Sequence, residues 1–210
     1  MASNLRTGVK TGVLRSALFV FQALSLPFLL FYWCAGRTDG AFQSIMQTAC
    51  LVPATPGVLL RAALLRGMAR RCGLRVTVHL GTLFSSPRIE LGEHVYIGAF
   101  CNIGYACIED HVLIGSGVHV LSGKHQHGYA RRDIPMALQP GMKSSVRIGH
   151  GAWIGNGSIV MADVGEESII GAGSVVVSAI PPWSIAAGSP ARVVGDRRTD
   201  SGSTQARVTV

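Results

Sequence analysis

The chemistry most open to use in this 210-residue sequence is that of imidazole, whose ordinary pKa near neutrality suits it to accepting a proton. His125 and His127 stand in a polar stretch from Leu121 to Ser145, together with Lys124, Arg131, Arg132 and Asp133. His94, His111, His119 and His150 lie in a periodic region on either side and read as outward-facing polar residues. The five cysteines (Cys34, Cys50, Cys72, Cys101 and Cys107) are odd in number and form no C-x-x-C pair. That argues against a disulfide framework or a structural zinc site and fits a reducing compartment. Cys101 and Cys107 read as small packing residues, and none of the five is placed as a nucleophile.

The element that must position this polar stretch is a short repeat. An aliphatic residue followed by a small or acidic one recurs at Leu91-Gly92, Ile97-Gly98, Ile103-Gly104, Ile108-Glu109 and Ile114-Gly115, closing at Val120. The pattern resumes at Ile148-Gly149, Ile154-Gly155 and Val160, and continues through Val164-Gly165, Ile170-Gly171 and Val176. Most steps are six residues; those from Ile103 to Ile108 and from Val160 to Val164 are shorter. This period fits neither an amphipathic helix nor a hairpin meander. It fits a solenoid of very short strands whose inward aliphatics stack from rung to rung. Glycine is frequent, with 26 in the chain, because tight corners need positive φ or leave no room for a Cβ. A regular scaffold interrupted once by a polar loop places function in the loop.

Hydrophobic residues make up 48% of the chain and charged ones 14%. The apolar excess is concentrated in the first 70 residues, which implies a membrane or a large buried interface there. The formal charge of +8 has few aromatics among the basic residues to stack bases, so nucleic acid is not expected as a partner. Residues 1–12 read as frayed, and Ser16 to Ala35 (SALFVFQALSLPFLLFYWCA) has no formal charge and is long enough to span a bilayer. Basic residues flank the apolar segments on both sides, which favours an interfacial or re-entrant arrangement bent at Pro27, with Ala41 to Leu65 as a second arm broken at Pro53 and Pro56. Gly57 to Arg71 reads as an amphipathic helix stopped at Gly73, with arginines around its polar circumference. Its apolar stripe faces either lipid or the base of the repeat. The expected division is a membrane-associated helical region over 1–73, with residues 13–72 making the membrane contact, a repeat domain over 74–197, and a disordered tail over 198–210. Pro181-Pro182 end the last coil, and the segment to Gly195 lies back along it.

The stretches HVLIGSGVHVLSGKHQHG, VRIGHGAWIGNGSIV, SIIGAGSVVV and IPPWSIAAGSPARVVG resemble the hexapeptide-repeat acyltransferases over about residues 75–197. The resemblance is to the sugar O-acetyltransferases in particular, including galactoside and maltose acetyltransferases and those of exopolysaccharide and lipopolysaccharide synthesis. It implies a left-handed parallel β-helix, acetyl-CoA as co-substrate with no metal, and a homotrimer with active sites between subunits. The acceptor would be a sugar hydroxyl or lipid-linked saccharide, at the cytoplasmic face of the inner membrane or in the cytoplasm. By the resemblance His125 is the general base, with His127 as the alternative or as an acceptor contact. Asn102 and Trp153 would contact the acceptor; Asn156, Ala172, Val177, Ser178 and Arg192 would bind CoA. A backbone N–H near Gly155-Asn156 would stabilise the oxyanion. Val177 and Ser178 stand where the family often has Thr-Lys. Three other readings are N-acylation of an amino sugar, a γ-type carbonic anhydrase with zinc on His119, His125 and His127, and a non-catalytic β-helix scaffold.

Overall fold

The change from a helical to a six-residue pattern near residue 70 is the main division of the chain. The computed structural model describes residues 19–199; the stretches 1–12 and 13–18 and the tail from 200 lie outside the described residues. Three helices come first: α1 over 19–34, α2 over Asp39–Cys50 and α3 over Ala54–Met68. Thr38 caps α2 by accepting a hydrogen bond from the Ala41 N–H at 3.3 Å, and Asp39 complements the helix dipole in the first turn. Pro53 precedes α3 and Pro56 falls in its first turn, where a missing N–H costs nothing. The prolines therefore start a helix that begins at Ala54, three residues earlier than the sequence suggests. Gly73 is not its stop. The backbone is already extended at Ala69, and Arg71–Cys72 form the first strand, so the solenoid begins before residue 74.

Arg61 departs most from the expected helix. It does not face solvent but is fully buried. Its Nε donates to the Val78 carbonyl at 2.9 Å, and its Nη1 donates to Ala49 O at 2.9 Å and Val52 O at 2.8 Å. One guanidinium thus joins the C-terminal end of α2, the turn before α3 and the first coil. Burial pushes its pKa down, with the nearby Cys50 thiol opposing. Gly57 is required here, since a Cβ would lie 1.8 Å from Val52 O and 2.8 Å from Arg61 Nη1.

The solenoid is a three-sided prism. Sheet A contains β1 (Arg71–Cys72), β4 (Glu90–Leu91), β7 (Ala106–Ile108) and β10 (Val146–Ile148), and bridges at Val164 and Ile180 extend it. Sheet B contains β2 (Thr77–Val78), β5 (Tyr96–Ile97), β8 (Leu113–Ile114), β11 (Trp153–Ile154), β13 (Ile169–Ile170) and β15 (Ser184–Ala187). Sheet C contains β3 (Leu83–Phe84), β6 (Asn102–Ile103), β9 (His119–Val120), β12 (Ile159–Val160) and β14 (Val175–Val176). All of these pair in parallel; in the two-residue strands of the regular coils the second residue points inward, as at Ile97, Ile114, Ile154 and Ile170, and in β7 and β10 the first and third do. The final strand, β16 (Arg192–Asp196), returns antiparallel on β15 and covers the open edge of sheet B, as read from the sequence.

The prism explains the uneven steps. From sheet A to B and from B to C the inward residues are always six apart, as in Leu91, Ile97, Ile103 and in Ile148, Ile154, Val160. Only the return from C to A varies. It takes seven residues from Phe84 to Leu91, five from Ile103 to Ile108, and four from Val160 to Val164 and from Val176 to Ile180. Between Val120 and Ile148 the same edge releases the polar loop.

The repeated glycines act through space more than through φ. A Cβ on Gly155 would lie 2.5 Å from the Ala172 N of the next coil. The left-handed corner positions are instead often non-glycine, including His94, Phe100, His111, Glu167 and Trp183 at φ of 56° to 62°.

Candidate active site

The loop that leaves sheet C after Val120 is held by its own backbone. Ser144 N–H donates to Ser122 O at 3.0 Å, and Met142 N–H donates to His125 O at 2.7 Å. Gly141 permits this pairing, since a Cβ there would fall 1.9 Å from Gln126 O. Gln139, which the sequence reading missed, is the loop's internal post. Its Oε1 accepts the Arg131 N–H at 3.0 Å, and its Nε2 donates to Arg131 O at 2.7 Å and Ile134 O at 3.2 Å. It is buried where the surrounding loop is exposed, and no periodic signal announces it. Arg131 and Asp133 form an exposed ion pair.

His125 and His127 are both exposed and line one open cavity of about 470 Å³, together with Tyr129 and Met142. The other expected residues fall on the sheet beside the loop and on its two edges. Asn102 faces outward from sheet C, in register with His119 above it, and His119 is followed by Ile159 and Val175. His119 therefore shares the Asn102 face, at the coil from which the loop departs. The signal for it was available, because the residue before each inward aliphatic faces out. Leu121, Met161 and Val177 stack at the C–A edge, so Val177 and Ser178 stand on the edge that carries the loop.

Asn156 and Ala172 occupy neighbouring rungs of the opposite, B–C edge, where Gly157 N–H donates to Ser116 O and Gly173 N–H donates to Asn156 O. The Asn156 side chain holds the coil below by accepting the Ser116 N–H at 3.0 Å. Of the expected oxyanion pair, Gly155 N–H is committed to Ile170 O at 2.8 Å, and the Asn156 N–H remains. Arg192 is exposed near the top of the same edge, next to Ala191, whose N–H donates to Val175 O. Trp153 is half-exposed on the outer face of sheet B, beyond that edge. One chain thus brings His125, His127, Val177 and Ser178 to one edge of sheet C and Asn156, Ala172 and Arg192 to the other, with Asn102 between them. It does not gather them into one pocket.

Three further histidines form a separate column on the A–B edge. His94 stacks on His111 with ring centroids 4.8 Å apart, and His150 meets His111 edge-on at 5.4 Å. Among the described residues no three His, Cys, Asp or Glu side chains are grouped to hold a metal ion. Burial disfavours the thiolate at three of the five cysteines. Burial pushes Cys72 up to about 12, with smaller opposed effects from Arg66 and Glu93. Burial also raises Cys101 and Cys107. Cys101 is in the core as expected, whereas Cys107 is not a core packing residue: it faces out from the centre of β7, between Ile108 and Ala106, which point inward. The chemistry this surface can support is proton removal by imidazole on a groove-like face.

No family model matches the chain. The galactoside O-acetyltransferase of Escherichia coli K12 is 30% identical over 146 residues, which is 64% of this chain and 67% of that protein. A second Escherichia coli K12 protein, named by inference a lipopolysaccharide biosynthesis O-acetyl transferase (WbbJ), is 29% identical over 123 residues, covering 54% of this chain and 60% of that one. The solved structure of a galactoside acetyltransferase in complex with coenzyme A superposes with a TM-score of 0.60 at 25% identity, covering 76% of this chain and 82% of that one. The chain belongs to the hexapeptide-repeat acetyltransferases, and its solenoid is their left-handed β-helix.

Proposed function

We propose that the chain transfers the acetyl group of acetyl-CoA to a sugar hydroxyl, the acceptor being a saccharide of a surface polysaccharide or its precursor. The observation that carries this is the loop itself: His125 and His127 line an open cavity within the loop that departs from sheet C, whose outer face bears Asn102. The relatives' names, a galactoside and a lipopolysaccharide O-acetyltransferase, supply the acceptor class, and the CoA-bound neighbour supplies the donor.

In this reading His125 takes the proton of the acceptor hydroxyl as the oxygen bonds to the thioester carbonyl carbon. The Asn156 N–H stabilises the oxyanion. The C–S bond then breaks, and the CoA thiolate recovers the proton from the imidazolium. The separation of His125 from Asn156, Ala172 and Arg192 on opposite edges of one sheet supports a symmetric homotrimer. Neighbouring copies would then bring one chain's loop against the next chain's CoA edge.

His125→Ala is expected to lower kcat by roughly 10²–10⁴-fold, the usual contribution of a general base, with KM for acetyl-CoA nearly unchanged. His127→Ala should cost less than about tenfold on the same grounds. CoA release measured with a galactoside acceptor tests both. Unchanged turnover in His125→Ala rejects it as the base.

A further inference from the structure

The charge of the chain is divided unevenly along its length. Residues 1–89 contain ten Lys and Arg against one carboxylate, Asp39, whereas residues 90–210 contain nine against ten. The whole excess of +8 therefore belongs to the helices, the first coil and the residues before them.

The same end carries an apolar surface. α1 is held to the protein by a narrow stripe of Ser25, Leu29 and Tyr32, at helical spacing. Leu29 packs over Gly67 of α3, and the Tyr32 hydroxyl donates to Arg37 O at 3.3 Å. Around the rest of the circumference Leu24, Leu26, Leu30, Phe31 and Trp33 are 55% to 65% exposed. No residue from 19 to 34 is charged. A helix that is apolar on all sides needs an apolar surrounding on all sides, and here the protein covers only one. Phe28 and Phe31 also line an open groove of about 370 Å³ with Ile45 of α2, continuous with the exposed face. Arg37 and Arg75 are exposed at this end and form no ion pair among the described residues.

We propose that this end of the molecule docks on an anionic lipid bilayer, with the outer face of α1 among the acyl chains and the arginines at the headgroups. Among the described residues no helix is long and apolar enough to cross a membrane, and the proposal places the outer face of α1 in one leaflet. A second copy of the chain is the other surface that could cover α1. The charge opposes it, because apposing two such ends would bring together the exposed arginines of each copy, Arg37 and Arg75, which no carboxylate pairs among the described residues. An anionic leaflet satisfies the apolar face and the charge together.

Flotation of the full-length protein with vesicles of phosphatidylcholine containing about 30% phosphatidylglycerol tests the proposal. The wild type should float with them, and Leu24→Ser/Leu30→Ser/Phe31→Ser should float about tenfold less or worse. Arg37→Glu/Arg75→Glu should lose binding to these vesicles while keeping its fold by circular dichroism. In a Trp153→Phe/Trp183→Phe background, Trp33 fluorescence should be quenched by lipids brominated in the acyl chain. A wild type that stays unbound, an unquenched Trp33, or a serine variant that floats normally overturns the proposal. So does a serine variant whose only change is a smaller assembly by light scattering, which would assign the face to contacts between copies. Turnover on a soluble galactoside is measured in the wild type and in the serine and glutamate variants, so failure to dock and failure of the transferase reading are separately visible.

Discussion

At the scale of single residues, the side chains that hold the fold are those whose polarity hides their role. An arginine on an amphipathic projection is assigned to solvent. Arg61 is buried because the turn after α2 and the first coil present carbonyls, Val52 O and Val78 O, that need donors. Arg61→Met should leave those two carbonyls unpartnered and cost about 3–5 kcal/mol, read as a lower denaturant midpoint. Arg61→Lys should recover part of that loss. Glu109 is a second case, because it crosses from the coil before the loop to the coil after it. It accepts from Arg147 Nε at 2.6 Å and from the His150 N–H at 2.9 Å. Burial alone would raise its pKa, but the hydrogen bonds from Arg147 and His150 outweigh it and hold the carboxyl below its ordinary 4.5. A depressed folded-state pKa means the charged form favours the fold. The contribution is therefore complete above about pH 4.5 and is lost as pH falls through the lower folded value. Glu109→Gln should lower stability by about 0.5–1 kcal/mol at neutral pH, a modest amount for a partly exposed pair. The difference in melting temperature from wild type should close as the pH is taken below 4. The placement of His125 in a loop outside the coils, by contrast, was legible because it sits where the period fails. Gln139 was not, since nothing in a glutamine's neighbours declares that it faces inward.

At the scale of elements, the hexads made the solenoid legible, while the grouping of its irregularities became clear only from the closed prism. At the A–B corner Gly151 N–H bonds to Asp110 O and Glu167 N–H to His150 O; at the B–C corner Gly157 N–H bonds to Ser116 O and Gly173 N–H to Asn156 O. These two corners hold every six-residue step. The short steps and the loop all share the third edge. The loop is therefore a lengthened return at the edge where return lengths already vary, and it should be removable. Replacing residues 121–147 with Met-Ala-Asp, the return that joins Val160 to Val164, should leave a cooperative thermal transition and abolish acetyl transfer. Loss of cooperative melting would show instead that the loop is part of the scaffold. The helices were less legible for the same kind of reason. Pro53 and Pro56 read as a break in an apolar arm, yet a proline in the first turn is as compatible with a helix start, and only packing against the first coil decides between them.

At the scale of the whole molecule, the candidate residues lie on two edges of one sheet, so a site in a single chain and a site shared between chains predict different behaviour. Two variants separate them. His125→Ala removes the proposed base at the C–A edge, and Ala172→Trp places a bulky ring at an exposed rung of the B–C edge, where the pantetheine arm is proposed to pass. Each alone should be inactive. If each site is built from the loop of one chain and the B–C edge of its neighbour, mixed trimers contain sites in which both contributions are intact. Random assembly from equal amounts of the two variants then makes about one site in four whole, because each of two independent neighbours must be the right variant. Dissociating the two proteins, mixing them and reassembling should therefore restore about a quarter of wild-type turnover, set by the same closed symmetry. Mixing without dissociation should restore none. Activity that stays at background after reassembly would place both groups in a site made by one chain, and the loop would then have to reach across the Asn102 face of its own sheet C to meet Asn156.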